Sequence, residues 1–356
     1  MTDDAKPNQS ADPGRVLIVR PSALGDVARS VPALVSLRQR LPHAHIDWLI
    51  NAGYADVVQH HPMLDGVILF DRDALHLAGL RPSATRAALG LRKQLRHADY
   101  DVVYDIQGLF RSGLLTWLTR APRRVGYANA REWGFLGYTV RHDISDRIHA
   151  VDRMLGLLKA DGLATTDDMR LYLGEADRQW LDSYLADHSL APRRYACIAP
   201  TARWLSKCWP IDRYADIARR LLDTGVAGEH LIVLAAPSER DQVQPLLDAL
   251  PPAMRERVLL PTTRVGQLMA LLSETSLLVC NDSAALHIAV GFDRPTVAIF
   301  GPTDPALVGP YRRDDDVVRP AVNVGVHDYR DANDQTLVAK VSVDEVWSRI
   351  KCRSQN

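Results

Sequence analysis

The chain has 356 residues, 43 Lys and Arg against 43 Asp and Glu, with 47% hydrophobic and 24% charged residues. At about 150 residues per domain this length predicts two domains, each with its own core, and the composition excludes a disordered or collagen-like chain. A net charge of zero gives no blanket attraction to nucleic acid or anionic membrane, so any such affinity must come from a local patch.

After a polar tail at 1–14, expected to be disordered, RVLIVR (15–20) reads as a strand and VARSVPALVSLRQRL (27–41) as a helix. HIDWLI (45–50), GVILF (66–70) and DVVYDIQ (101–107) read as further strands, with the Arg/Leu/Ala-rich stretch 84–97 as a helix. A second set of strands follows: YACIAP (195–200), HLIVLAAP (230–237), VLLP (258–261), LLVCND (277–282) and TVAIFGP (296–302). IDRYADIARRLLDTG, RVGQLMALLSET and SAALHIAVGF supply its crossover helices, and 343–351 a last amphipathic one. Continuous apolar strands alternating with helices predict parallel sheets covered on both faces. The expected fold is therefore α/β: two doubly wound domains facing each other, joined near 189–194. In such sheets ligands bind outside the carboxyl ends of the strands, so the loops after those strands carry the candidates.

Cys197, Cys208, Cys280 and Cys352 form no C-x-x-C pair, which points to a reducing compartment. The start is polar and acidic, unlike a signal peptide, and no apolar run approaches the roughly 18 residues of a spanning helix. A cytoplasmic protein, touching a membrane at most peripherally, is expected.

Strand 15–20 runs into PSALGDVARS. It has neither the G-x-G-x-x-G of a dinucleotide site nor a Gly-Lys-Ser/Thr phosphate loop. Gly25 lets another group approach the backbone, and Asp26 stands at a helix N-terminus, either aimed into the cleft or serving as a cap. Strand 277–282 enters SAALHIA, where Ser283 and the following amides suit a phosphate. Asp282 would repel phosphate, so it accepts from sugar hydroxyls or organises the loop. His287 shares a helix face with Ser283; a capping acid and a structural histidine are the other reading. In TARWLSKCWP (201–210), Lys207 is one of only six lysines. It is either a point charge for a leaving diphosphate or a solvated lysine beside a packed Trp209.

Residues 111–153 hold eight Arg against four acids, which suits an anionic partner or a solvated arginine surface. No helix-turn-helix, finger or RNP signature supports nucleic acid. Asp71-Arg72-Asp73 reads as a turn, Asp314–Asp316 as a solvated loop and Cys280 as strand core. His60 and His61 lack further ligands at metal spacing, so no metal site is expected.

RVLIVRPSALGDVARSVPAL, DIQGLFRSG, ANAREWG, RIHAVDR, TARWLSKCWP and NDSAALHIAVGFDRPTVAIFGPTDP together resemble segments of the ADP-heptose:lipopolysaccharide heptosyltransferases, glycosyltransferase family 9, over roughly residues 15 to 351. The resemblance implies the GT-B arrangement of two Rossmann-like domains: an acceptor half at 15–190, a nucleotide-sugar half at 191–342, and a C-terminal helix and tail at 343–356. It implies inverting transfer of heptose from ADP-heptose to the Kdo region of lipopolysaccharide. Asp26 would be the general base, of ordinary aspartate pKa, and Lys207 would stabilise the departing diphosphate. Ser22, Gly25, Thr201, Arg203, Glu239, Thr263, Asp282, Ser283, Ala284, His287 and Gly301 would line the donor site, Glu239 at the ribose. Arg111, Arg131 and His149 would hold the acid groups of an anionic, lipid-linked acceptor. No cofactor is required beyond the donor, with divalent-cation stimulation left open. Family-9 chemistry on another nucleotide sugar or glycan, or a non-catalytic binding homologue, are the alternatives. The departures, Pro-Ser-Ala before Gly25 and Ala-Arg-Trp-Leu-Ser before Lys207, bear on the choice of donor or acceptor.

Overall fold

The computed structural model describes residues 12–71, 79, 81–321 and 335–354. Most of the expected tail, and Arg72 and Asp73 of the acidic turn, lie outside them.

Two parallel six-stranded sheets form the frame. The first contains β1 (Arg15–Val19), β2 (His45–Asn51), β3 (Gly66–Phe70), β4 (Val102–Asp105), β5 (Arg123–Tyr127) and β6 (Val140–His142), in the order β3-β2-β1-β4-β5-β6. The second contains β7 (Tyr195–Ala199), β8 (His230–Val233), β9 (Val258–Leu259), β10 (Leu277–Asn281), β11 (Thr296–Ile299) and β12 (Val317–Val318), in the order β12-β11-β10-β7-β8-β9. The strand order reverses between β1 and β4 in one sheet and between β7 and β10 in the other. Those reversals leave a crevice at the carboxyl edge of each sheet, where doubly wound folds hold their ligands. The loops carrying Gly25-Asp26, Lys207 and Asp282 all leave these central strands.

The central strands were legible because they are apolar throughout: β7 and β10 are buried at every position. The apolar pattern does not mark β5 and β6, because β5 opens on two arginines and β6 has only three residues at the sheet edge. The two-residue β12 was missed for the same reason. The helix expected over 27–41 is two helices, α1 (Leu24–Ala28) and α2 (Val31–Arg40). Pro32 has no N–H to donate to a continuous helix, so the chain breaks at Arg29-Ser30 and restarts with proline in the first turn.

Further helices cover the sheets: α3 (Pro82–His97), α4 (Phe110–Thr119), α5 (Ala150–Ala160), α6 (Glu175–Asp187), α7 (Ile211–Thr224), α8 (Arg240–Asp248), α9 (Val265–Ser273) and α10 (Ala284–Gly291). The last helix, α11 (Val343–Arg353), opens with a capping box between Ser342 and Glu345 and buries Val346 and Ile350 against the second sheet. In the run Asp314–Asp316, expected to be a solvated loop, Asp314 and Asp315 are exposed but the third aspartate is not. Asp316 is buried and bound by Arg353 at 2.7 Å, which ties α11 to the strand edge. One apolar cluster runs through α1, α2, α9 and α10 and so spans both halves of the molecule.

Candidate active site

The two halves meet at Gly25. A β-carbon there would lie 2.8 Å from His287 Cδ2 and 3.2 Å from the Ala284 α-carbon. The absent side chain therefore lets α1 of the first half seat directly on α10 of the second. The group that approaches the Gly25 backbone is the protein's own helix, and this contact brings the Gly-Asp turn up to the start of α10.

Asp26 is held by two arginines. Arg29, three residues on, binds one carboxylate oxygen; Arg20, the last residue before the loop, lies 3.2 Å from the other. The Ala23 amide donates to that second oxygen at 3.3 Å. Burial raises the pKa of Asp26, but Arg29, Arg20 and the Ala23 amide outweigh it and hold the carboxylate well below the usual range. The ordinary aspartate pKa expected from the resemblance is thus corrected. The side chain remains 30% exposed, so one side of the carboxylate is open to a ligand.

Across the seam, Lys207 Nζ is 2.7 Å from Asp282 Oδ2, and Thr303 Oγ1 donates to the same oxygen at 2.7 Å. The side chains of Lys207 and Asp282 are 15% and 8% exposed. Lys207 is therefore not a solvated surface lysine, and Asp282 organises the loop that bears it. Trp209, beside it, is fully packed, with its indole N–H donated to the Val341 carbonyl at 2.9 Å. Asn281 fixes the geometry. Its carboxamide oxygen accepts from the Trp209 amide and the Tyr214 hydroxyl, and its nitrogen donates to the Pro200 carbonyl. One buried side chain at the end of β10 thereby locks both ends of the 200–209 loop. Neither Asn281 nor the Arg20–Arg29 clamp was picked out from sequence. The signals were present, an Arg three residues after Asp26 and an amide closing a strand, but both read as ordinary.

The other candidates divide into groups. Thr201 Oγ1 donates to Glu239 Oε2 at 2.8 Å, and Glu239 also accepts from the Ala236 amide, so these two form one corner of the second half. Ser283 caps α10 in position only: its hydroxyl is buried without a hydrogen-bond partner among the described residues, beside the free amides of the helix start. A buried orphan hydroxyl and helix amides fit an anionic group. His287 is buried, and desolvation, reinforced by Arg29, lowers its pKa to about 3, so the ring is neutral. The Ser22 amide donates to Gln107 Oε1 at 3.3 Å, at the edge where β1 and β4 end. Arg203 is exposed, with its guanidinium 5.4 Å from the Trp204 ring, and Thr263 is half-buried. Gly301 makes room for Val338 of its own chain, whose Cβ would stand 2.7 Å from an added β-carbon.

Arg111 and Arg131 are exposed on neighbouring segments, joined by the Arg131 amide donating to the Gly108 carbonyl. His149 sits elsewhere in the bonding scheme. Its Nδ1 accepts from Val151 N and so caps α5 locally, while its Nε2 contacts the Gly309 carbonyl of the other half at 3.1 Å, so both ring nitrogens are engaged within the protein and one of them bridges the seam. One further grouping departs from the sequence reading of His60. The fold brings Asp56 and Asp177 to it, with ligand atoms of all three within 4.8 Å. Arg264 already pairs with Asp177 at 2.7 Å and with Asp56 at 3.8 Å, and so supplies positive charge to that cluster.

Two doubly wound halves with facing switch points, a carboxylate on one and a lysine loop on the other, form the GT-B arrangement. Comparison with known proteins gives the family: the model of glycosyltransferase family 9 (heptosyltransferase) matches residues 88–332, and the chain belongs to that family. It is 28% identical over 314 residues to lipopolysaccharide heptosyltransferase 1 of Escherichia coli K12, covering 86% of this chain and 93% of that one. It is 29% identical over 309 residues to the Pseudomonas aeruginosa protein described by the same words, covering 84% and 82%. Among solved structures, E. coli heptosyltransferase WaaC with ADP-2-deoxy-2-fluoro heptose superposes with a TM-score of 0.75 at 25% identity, covering 95% and 99%. The family 9 glycosyltransferase of Veillonella parvula superposes at 0.82 and 20% identity, covering 96% and 97%, a likeness of fold.

Proposed function

We propose that this enzyme transfers heptose, with inversion, from ADP-heptose to the Kdo region of the lipopolysaccharide inner core. The observation that carries the reading is the Asp26 turn seated on α10, the helix that follows Asp282 and its Lys207 partner. Residues 15–190 would bind the acceptor and 191–342 the donor. In a single displacement the acceptor hydroxyl oxygen attacks the anomeric carbon and the bond to the diphosphate oxygen breaks. The electron pair leaves with ADP, and the hydroxyl proton passes to Asp26. A carboxylate of depressed pKa is a weak base, so it takes that proton late, once bond formation has made the hydroxyl acidic. Lys207 and the amides at the start of α10 stabilise the diphosphate as its charge develops. Glu239 and Thr201 would receive the ribose, and Arg111 and Arg131 the acidic groups of the acceptor.

Lys207 supplies positive charge to the leaving group, and turnover with EDTA and with added Mg²⁺ measures what a divalent cation adds. Among the described residues no helix is long and apolar enough to cross a membrane; we place the enzyme at the cytoplasmic face of the inner membrane, where a lipid-linked acceptor is presented. Calorimetric titration with ADP, UDP and GDP tests the donor. ADP binding at least tenfold tighter than the others supports the reading, and a preference for UDP or GDP overturns it.

A further inference from the structure

Six of the large apolar side chains that stand exposed among the described residues lie on three adjoining pieces of the first half. They are Leu89 of α3, Phe110, Leu114 and Trp117 of α4, and Trp133 and Leu136 of the following turn. Phe110, Leu114 and Trp117 recur at i, i+4 and i+7, so they form one stripe along α4, opposite the buried Ser112, Leu115 and Thr119. A helix ordinarily turns its apolar stripe to a neighbouring element, and here the Phe110–Leu114–Trp117 stripe is the one left exposed while the opposite face is covered.

Glycines set the two apolar rows side by side. A β-carbon on Gly113 would lie 2.2 Å from the Gly134 carbonyl oxygen, and one on Gly137 would lie 2.1 Å from that of Gly113. Only bare backbone permits that approach, and it lays Trp133, 69% exposed, and Leu136 next to the α4 stripe. α3 packs against α4 through Leu91 and Leu95, which share an apolar cluster with Leu115 and Leu118.

The surround of this patch is predominantly basic. Residues 82–97 contain Arg86, Arg92, Lys93 and Arg96 and no acid, and residues 109–141 contain six Arg against Glu132 alone. Among the described residues no carboxylate pairs with Arg86, Arg92, Arg111, Arg120 or Arg131. Arg92 and Arg120 crowd Arg96 with like charge. Tryptophan and phenylalanine among unpaired arginines are the composition that seats in the headgroup layer, where rings meet acyl chains and cations meet phosphates. A partner protein of acidic surface would answer the charge, but large aromatic rings on a convex helix face suit a fluid apolar layer better.

We infer that the exposed face of α3, α4 and the 133–136 turn is a docking surface for an anionic phospholipid bilayer. Its inner end adjoins the cleft, because α4 starts three residues beyond Gln107, which holds the Ser22 amide of the Gly-Asp loop. If the acceptor is lipid-linked as proposed above, a membrane on this face presents it at the edge of the site. The docking itself does not depend on that reading.

Sedimentation with vesicles tests it without donor or acceptor. The full chain is mixed with phosphatidylcholine vesicles, with or without about one-third phosphatidylglycerol. The variants are Trp117→Ser/Trp133→Ser and Arg86→Gln/Arg92→Gln, all at exposed positions. Wild type should pellet with anionic vesicles and stay in solution with neutral ones. The tryptophan pair should weaken binding at least tenfold, and each arginine by about fivefold at low salt. Unchanged circular dichroism and ADP affinity show that the variants are folded. Wild type remaining in solution with anionic vesicles, or the tryptophan variant binding as tightly, overturns the inference. So does a wild-type dimer in sedimentation velocity that the tryptophan variant dissociates, which would assign the face to self-association. A lipid-free acceptor separates this claim from the enzymatic one: the tryptophan variant should turn it over at the wild-type rate.

Discussion

Gly25 leaves no room for a methyl group between itself and His287: an added β-carbon would sit 2.8 Å from the imidazole Cδ2. Replacing glycine by alanine in a helix ordinarily stabilises by up to about 1 kcal/mol. Here overpacking, at about 1–3 kcal/mol, should win. Gly25→Ala is expected to unfold at lower temperature and to lose activity through displacement of the Asp26 turn. A raised melting temperature would mean that the two helices separate freely.

The same contact makes the enzyme acid-sensitive. His287 titrates near 3 when folded, against 6.5 for an unperturbed histidine. Below 6.5 the unfolded chain takes up a proton that the folded chain refuses, so stability present at neutral pH is lost as pH falls from 6.5 towards 3. Between pH 7 and 5 this amounts to about 2 kcal/mol. Urea unfolding of His287→Asn at the two pH values should show a pH difference smaller than wild type by that amount. His61, lowered to about 4 by burial, retains its own share in both proteins. An undiminished difference would remove His287 as the cause.

Lys207 and Asp282 form a buried pair, so their structural and chemical roles must be separated. Lys207→Ala leaves Asp282 uncompensated and should destabilise by about 3–5 kcal/mol. Lys207→Met combined with Asp282→Asn removes both charges and should recover most of that loss. If Lys207 stabilises the leaving diphosphate, the double variant still lacks about 10²–10³ in kcat. Recovery of kcat together with stability would reduce the lysine to a structural element.

Arg29 and Arg20 together hold the Asp26 carboxylate below its usual range, which bears on the base role proposed for it. Removal of Arg29 leaves burial, which raises the Asp26 pKa, opposed by Arg20 and the Ala23 amide. Arg29→Gln should therefore move the acid limb of the kcat/KM profile to higher pH. Superimposable limbs over pH 4 to 7 would show that the clamp does not tune the base.

Much of this architecture was readable because the strands meeting at the switch points are continuous apolar runs, and the loops after them carry their unusual residues in plain view. What stayed hidden depends on long-range placement. β5 and β6 are short and arginine-bearing; β5 becomes a strand on the free edge of β4, and β6 on the edge that β5 then offers. The Asn281 hub and the Lys207–Asp282 pair link side chains whose roles appear only when two loops converge, while the Asp26 clamp is local, between Arg20 and Arg29, but made of residue types common in this chain. His149 shows the reverse. A histidine in a basic stretch reads as an acceptor ligand, and in the fold its Nδ1 caps α5 while its Nε2 contacts the Gly309 carbonyl across the seam.

The central claim is that Asp26 takes the acceptor proton in heptose transfer. Wild type and Asp26→Asn, each given ADP-heptose and Kdo-bearing lipid A, measure it in one transfer assay, with ADP affinity read in parallel. The account predicts transfer by wild type, a fall of about 10²–10⁴ in kcat for the asparagine variant, and ADP binding within twofold of wild type. Wild-type turnover by Asp26→Asn would contradict it.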